Sequence, residues 1–92
     1  MKPVQIGQLI KVISGKDEER YAIVIEVLDE RFVKIADGRK RKFDQPKKKN
    51  VLHLELLPFI SQEVAISLQE SGKVTNAKLR YFIEKYRHGK ES

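Results

Sequence analysis

Eleven consecutive residues, Arg39-Lys40-Arg41-Lys42-Phe43-Asp44-Gln45-Pro46-Lys47-Lys48-Lys49, set seven cationic side chains against a single acid. Their net of +6 equals the formal net charge of the whole 92-residue chain. Everything outside this stretch therefore balances, and the excess is one concentrated patch. A localised field of one sign draws polyanions, nucleic acid above all. Lysine ammoniums displace counterions from phosphates, which gives affinity with little choice of sequence. Arg39 and Arg41 add planar guanidiniums that can clamp a phosphate through two hydrogen bonds or stack on a base. Phe43 offers a further stacking face if it is exposed; a place in the core is its competing role. The plainer reading of the patch is a charged strand edge that discourages aggregation, but seven charges exceed that need.

Other residues able to do chemistry are few. The chain has no cysteine, hence no disulfide and no thiolate, which fits a reducing compartment. His53 and His88 stand far apart. His53 falls on the outer face of a strand pattern, where an exposed residue is the first reading and an RNA contact the second. Asp17, Glu18 and Glu19 are adjacent acids without the spacing of a calcium loop. Neither a nucleophile–base pair nor a Gly-rich phosphate loop is present. The expectation is a protein that is not an enzyme and needs no cofactor or metal.

The elements that must position the patch read as strands first. Ile6 to Ile13 and Tyr21 to Leu28 are rich in Ile and Val and flank the polar loop Ser14 to Arg20. Both runs are apolar on both faces, so something must cover the second face, and the second run reads as the most buried strand. Gly7 inside the first run marks a bulge or a close backbone approach. A third run, Phe32 to Ala36, ends on Asp37-Gly38, a two-residue hairpin signal. It predicts that residues 39–43 return antiparallel to residues 32–36 as a polar edge strand. Pro46 then ends the pairing and leaves Lys47-Lys48-Lys49 in a loop. Residues 51–57 alternate as a fifth strand, with Leu52, Leu54 and Leu56 on one face and Val51, His53 and Glu55 on the other. Short strands this closely spaced suggest a small barrel or sandwich.

After Pro58 the period becomes helical. Ser61 can cap a helix carrying Val64, Ala65 and Leu68 that ends near Gly72. Thr75 or Asn76 caps a second, with Leu79, Phe82, Ile83 and Tyr86 in one stripe and Gly89 placed as its C-terminal cap. Lys78, Arg80, Lys85 and Arg87 fall elsewhere on that helix. Two short helices are marginal alone, so the stripe is expected to pack on the barrel. At this length one domain is expected. Met1-Lys2-Pro3 leads into a strand without a signal-peptide pattern, and no apolar run approaches the ~20 residues that span a bilayer. A cytoplasmic protein without membrane contact, monomeric when free, is the expectation.

The strand-loop-strand of residues 6–28, with Ser14-Gly15 opening the loop and Ala22-Ile23-Val24 after it, resembles a KOW motif. Further stretches are similar to small bacterial KOW-domain RNA-binding proteins of the ribosomal-protein-like kind. These are Arg20-Tyr21, Asp29-Glu30-Arg31-Phe32-Val33, Ala36-Asp37-Gly38, Pro46 to Asn50, His53-Leu54 and Val74-Thr75-Asn76-Ala77, in that order over most of residues 4–86. Where the motif usually carries a second glycine before its basic residue, this chain has Glu19. The resemblance implies an SH3-like β-barrel and binding to ribosomal or other structured RNA. With it the chain reads as mainly β: a five-stranded SH3-like barrel over residues 1–58, then a C-terminal helical extension over 59–92. The expected RNA-binding residues are Arg39, Lys40, Arg41, Lys42, Lys47, Lys48 and Lys49, with Lys16 and Arg20 of the first loop and His53. Ribosomal RNA is the expected partner, with ribosomal proteins beside it. The rival reading is a protein-interaction module of the transcription or translation machinery, since SH3-like barrels serve both ends.

Overall fold

Two strands with apolar side chains on both faces set the architecture, because each face needs its own cover. They are β1 (Gln8–Val12) and β2 (Tyr21–Val27). The structure, a computed structural model, describes residues 3–16 and 19–91. Asp17 and Glu18 lie outside the described residues. With β3 (Phe32–Ala36), β4 (Lys47–Asn50) and β5 (Leu54–Ile60), the strands form one antiparallel sheet in the order β4-β3-β2-β1-β5. Two helices follow, α1 (Gln62–Ser71) and α2 (Asn76–Glu91).

The inner face of the sheet gathers Ile10 and Val12 of β1, Ala22 and Val24 of β2, Val33 and Ile35 of β3 and Leu54 of β5 into one buried cluster. Strands that are not neighbours share this cluster, so the sheet is curled into a barrel-like half-shell. The other face of the same strands presents Leu9, Ile23, Ile25, Ala36 and Leu57. There Val64 of α1 and Leu79 and Ile83 of α2 close over them. Burying each such aliphatic side chain contributes roughly 1.5–3 kcal/mol relative to exposure. As the alternation predicts, β2 lies between two cores and its residues 22–25 are buried.

One turn of 3-10 helix, Val51–His53, ties the ends of the curl together. The Val51 N–H donates to the Arg31 carbonyl at 2.8 Å, and the His53 carbonyl accepts from the Ile13 N–H at 2.9 Å. This turn corrects the expected strand over 51–57. Asn50 accepts a hydrogen bond from the Leu52 N–H at 2.9 Å, which winds the backbone before a strand can start. Leu52 is consequently 79% exposed instead of sharing a buried face with Leu54. The strand itself runs on through Pro58 to Ile60.

The helix signals resolve as read at three of four termini. Ser61 Oγ accepts from the Val64 N–H, Gly72 closes α1 in the left-handed region at φ 74°, and Thr75 Oγ1 accepts from the Lys78 N–H. Gly89 is no cap; it lies within α2, which continues to Glu91. Gly7 is the close approach that its place in a strand pattern suggested. At φ +90° its N–H donates to the Val24 carbonyl at 2.7 Å, and its own carbonyl accepts from Ser61 N–H at 2.8 Å. One glycine thus joins β2 to the start of α1, and β1 slips in register against β5 between Gln8 and Ile10. Gln8 Nε2 satisfies the Leu57 carbonyl at that irregularity.

A Cβ on Gly7 would stand 2.7 Å from the Ser61 carbonyl oxygen, whereas one on Gly72 meets nothing within 4 Å. Gly7→Ala is therefore expected to lose about 2–4 kcal/mol in urea denaturation and Gly72→Ala only about 1 kcal/mol. A second prediction concerns acid. Asp29 Oδ1 accepts from the Arg31 and Phe32 N–H groups of the β2–β3 turn at 2.7 and 2.8 Å, and these donors hold its carboxyl below the ordinary carboxylate range. A depressed carboxyl contributes stability above its unfolded value, near 3.8, that is lost as pH falls through the folded value. In thermal melts from neutral to acid pH, Asp29→Asn should lose less stability below about pH 4 than the parent does.

Candidate nucleic-acid interface

The basic stretch does not return as a strand. Residues 38–45 form a turn held by Asp37, and this corrects the expected hairpin over 39–43. Asp37 Oδ1 accepts from the N–H groups of Arg39 and Arg41 at 2.8 and 2.9 Å. The Asp37 and Gly38 N–H groups both donate to the Arg41 carbonyl. The carboxylate and this carbonyl together satisfy the backbone locally, so the ladder with β3 is not taken up. The turn is then fastened to α2 from two sides. Asn76 Oδ1 accepts from the Phe43 N–H at 2.8 Å, and Arg80 Nη1 donates to the Gly38 carbonyl at 2.7 Å. Gly38, at φ +79°, sits so close to the Asn76 carbonyl that a side chain has no room. Phe43 packs against the helix-side core, which is the role weighed against stacking.

Pro46 does not end pairing; pairing begins after it. Lys47, Lys48 and Lys49, expected in a loop, are the body of β4, opposite Ile35, Lys34 and Val33 respectively. The register sends the three lysines to two faces. Lys47 and Lys49 share the side of Ile35 and Val33, while Lys48 shares that of Lys34 and holds its ammonium 4.6 Å above the Phe32 ring. A Cβ on Gly15 would stand 3.3 Å from Lys49 Nζ, so that lysine reaches across to the β1–β2 loop.

One rim of the curled sheet therefore collects most of the expected residues. Strand pairing puts the ends of β1 and β3 and the starts of β2, β4 and β5 side by side. Lys16 and Arg20 in the first loop, the turn Arg39 to Lys42, Lys47 and His53 all lie on or beside that rim, and Lys49 reaches toward it. Lys48 is the exception. Val12, Arg20, Tyr21, Ile35, Lys40, Arg41 and Lys47 line a small cavity there, and Arg41 Nε is buried without a hydrogen-bond partner. A second, larger cleft adjoins it across Arg20, Tyr21 and Asp37, and there Arg39 meets Arg80 and Arg87 of α2. Sequence reasoning left these two arginines out of the site. Their signal was available: Arg80, Glu84 and Arg87 recur at helical spacing along one flank of the apolar stripe.

The first loop carries one strained residue. Glu19 is the non-glycine residue with positive φ, 72°, among the described residues. It occupies the place where the KOW resemblance expects glycine, and the backbone there keeps the conformation that favours glycine. Its N–H donates to the Val12 carbonyl at 2.7 Å, and its carboxylate pairs with Lys11 Nζ at 2.9 Å. That hydrogen bond and the Glu19 charge raise Lys11 above the ordinary lysine range. Part of the acidic charge of this loop is thus spent on β1 and not left facing the rim.

No protein-family model matches the chain. Over 71 residues, 77% of the chain, it is 46% identical to a Bacillus subtilis (strain 168) protein named "Putative ribosome-binding protein YbzG", and the match covers 96% of that protein. It is also 25% identical over 92 residues to "Large ribosomal subunit protein eL14" of Hyperthermus butylicus, covering 91% of this chain and 94% of that protein. Among the described residues no helix is long and apolar enough to cross a membrane.

Glu19→Gly should relieve a left-handed conformation that costs a side-chain-bearing residue about 1–2 kcal/mol, while losing only an exposed, solvent-screened ion pair. The expected outcome is a net stabilisation, read as a raised urea midpoint. Glu19→Ala, which loses the pair and keeps the strain, should be less stable than the parent.

Proposed function

Because the chain belongs to the family of the Bacillus subtilis protein named "Putative ribosome-binding protein YbzG", we propose that it is a ribosome-associated RNA-binding protein. It would contact the phosphate backbone of structured RNA through the basic rim. In this reading the curled sheet is an SH3-like barrel and the β1–β2 hairpin its KOW motif. The observation that carries the proposal is the gathering of Lys16, Arg20, Arg39, Lys40, Arg41, Lys42 and Lys47 on one rim of the curled sheet. Cations fixed on a curved scaffold suit the shape of a folded RNA, whose backbone can be met without reading base edges. The function is binding, and it asks for no reacting group and no cofactor. A protein working on the ribosome resides in the cytoplasm, and we read this one so.

A second reading has its own observation. Val4, Val27, Leu52, Leu54 and Leu56 line an apolar groove, rimmed by Asp29 and Glu30. A ribosomal protein contacted there would add a salt-resistant component to association.

Co-sedimentation with ribosomes from a lysate across a salt series tests the proposal. The comparison is with Lys40→Gln/Lys42→Gln/Lys49→Gln, its fold checked by circular dichroism. The parent should travel with ribosomal particles and be shed by salt. The variant should bind more weakly, with a log–log salt slope smaller by about three. Equal, salt-resistant binding of both proteins would reject the phosphate reading in favour of the apolar groove, and no association of either would reject both.

A further inference from the structure

The larger of the two adjoining cavities is a cleft of about 220 Å³ between the turn after β3 and the middle of α2. Arg20, Arg39, Arg80 and Arg87 line it together with Tyr21 and Ile83. Three acids also line it. Glu19 pairs with Lys11, and Asp37 Oδ1 accepts from two backbone N–H groups while its carboxylate keeps its charge. Glu84 is placed against the arginines: its carboxylate stands 3.9 Å from Arg39 Nη2, 3.8 Å from Arg87 Nη1 and 3.5 Å from His88 Nε2. Charge-assisted hydrogen bonds of this kind normally close to about 2.7–2.9 Å. One carboxylate is thus shared loosely among two guanidiniums and an imidazole. Arg80 differs, since its Nη1 is anchored on the Gly38 carbonyl and fixes the wall of the cleft.

We propose that this cleft seats a backbone phosphate of RNA between Arg39 and Arg87, and that Glu84 is the internal anion the phosphate displaces. Two forked guanidiniums converging on one point are the arrangement that planar, bidentate recognition of phosphate uses. The side chains of Arg39 and Arg87 are 66% and 54% exposed, so they can turn from Glu84 to an incoming group without unpacking the core. The occupant is a polymer and not a lone anion because the cations continue past the cleft. Arg20 and Asp37 line both cavities, and beyond them lie Lys40, Arg41 and Lys47. A strand of phosphates laid along this track would meet cations on either side of the Asp37 carboxylate. Glu84 weakens indiscriminate capture of polyanions, because a ligand must outcompete it by engaging both arginines at once. The inference rests on the RNA-binding reading and adds α2 to the binding face.

Fluorescence anisotropy with a labelled RNA hairpin, titrated at several salt concentrations, tests it. Glu84→Gln keeps the shape and removes the competing charge, and should bind roughly three- to tenfold more tightly. A gain of affinity cannot arise from a folding defect. Arg39→Gln/Arg87→Gln should bind more weakly, with a salt slope smaller by about two. The rim variant Lys40→Gln/Lys42→Gln/Lys49→Gln, run alongside, separates the two levels of the argument. If it weakens binding while Glu84→Gln and the arginine pair leave affinity and slope unchanged, the cleft proposal is overturned and the RNA-binding reading stands. If the parent does not bind the hairpin, or the rim variant too is without effect, both are overturned.

Discussion

Burial on two sides is the constraint from which the rest of this molecule follows. A sheet whose central strands are apolar on both faces cannot stand with one face in water. Curling the sheet on itself hides Ile10, Val12, Ala22 and Val24; only a second layer can hide Leu9, Ile23 and Ile25. The helices are therefore part of the core, and their attachment is equally determined. Gly7 lets the backbone before β1 touch both the β2 carbonyl of Val24 and the first residue after β5, Ser61. The change from strand to helix happens where that contact holds the chain.

The basic rim inherits its order from this packing. A polar turn with seven nearby cations would repel itself open in isolation. Here a carboxylate inside the turn and two side chains from α2 supply enough directed hydrogen bonds to hold it in one conformation. The charges on it are consequently displayed from a fixed frame. Such preorganisation reduces the ordering cost of engaging a rigid partner.

Much of this could be read from residue order alone, and the failures are physically instructive. Strands β1, β2 and β3, both helices and the need for a covering layer were legible because hydrophobic period and cap residues are local signals. Two expectations failed where a side chain competes with the backbone ladder, and a third where the ladder forms after a proline. Asp37-Gly38 has the look of a primed hairpin turn, but the Asp37 carboxylate satisfies two N–H groups that a hairpin would leave for pairing. Asn50 does the same for Leu52 and replaces the start of a strand by a helical turn. Pro46 argued that Lys47 to Lys49 lie in a loop, yet a proline just before a strand costs no ladder bond, and an edge strand needs hydrogen bonds to one neighbour only, which β3 supplies. In the site, the charge-dense segment was visible as a cluster. Arg80 and Arg87 were legible only as a helical flank with Glu84; nothing in sequence brings that flank against a turn some forty residues upstream.

That separation in sequence has a temporal side. The turn after β3 is anchored by Asn76 and Arg80, and the cleft beside it is walled by Arg80 and Arg87. During synthesis all the strands emerge before any of these anchors. Before α2 docks, the turn has its local hydrogen bonds to the Asp37 carboxylate and the Arg41 carbonyl but lacks the two that Asn76 and Arg80 supply. In chain order the charges of the turn precede the anchors that fix it to the helical layer.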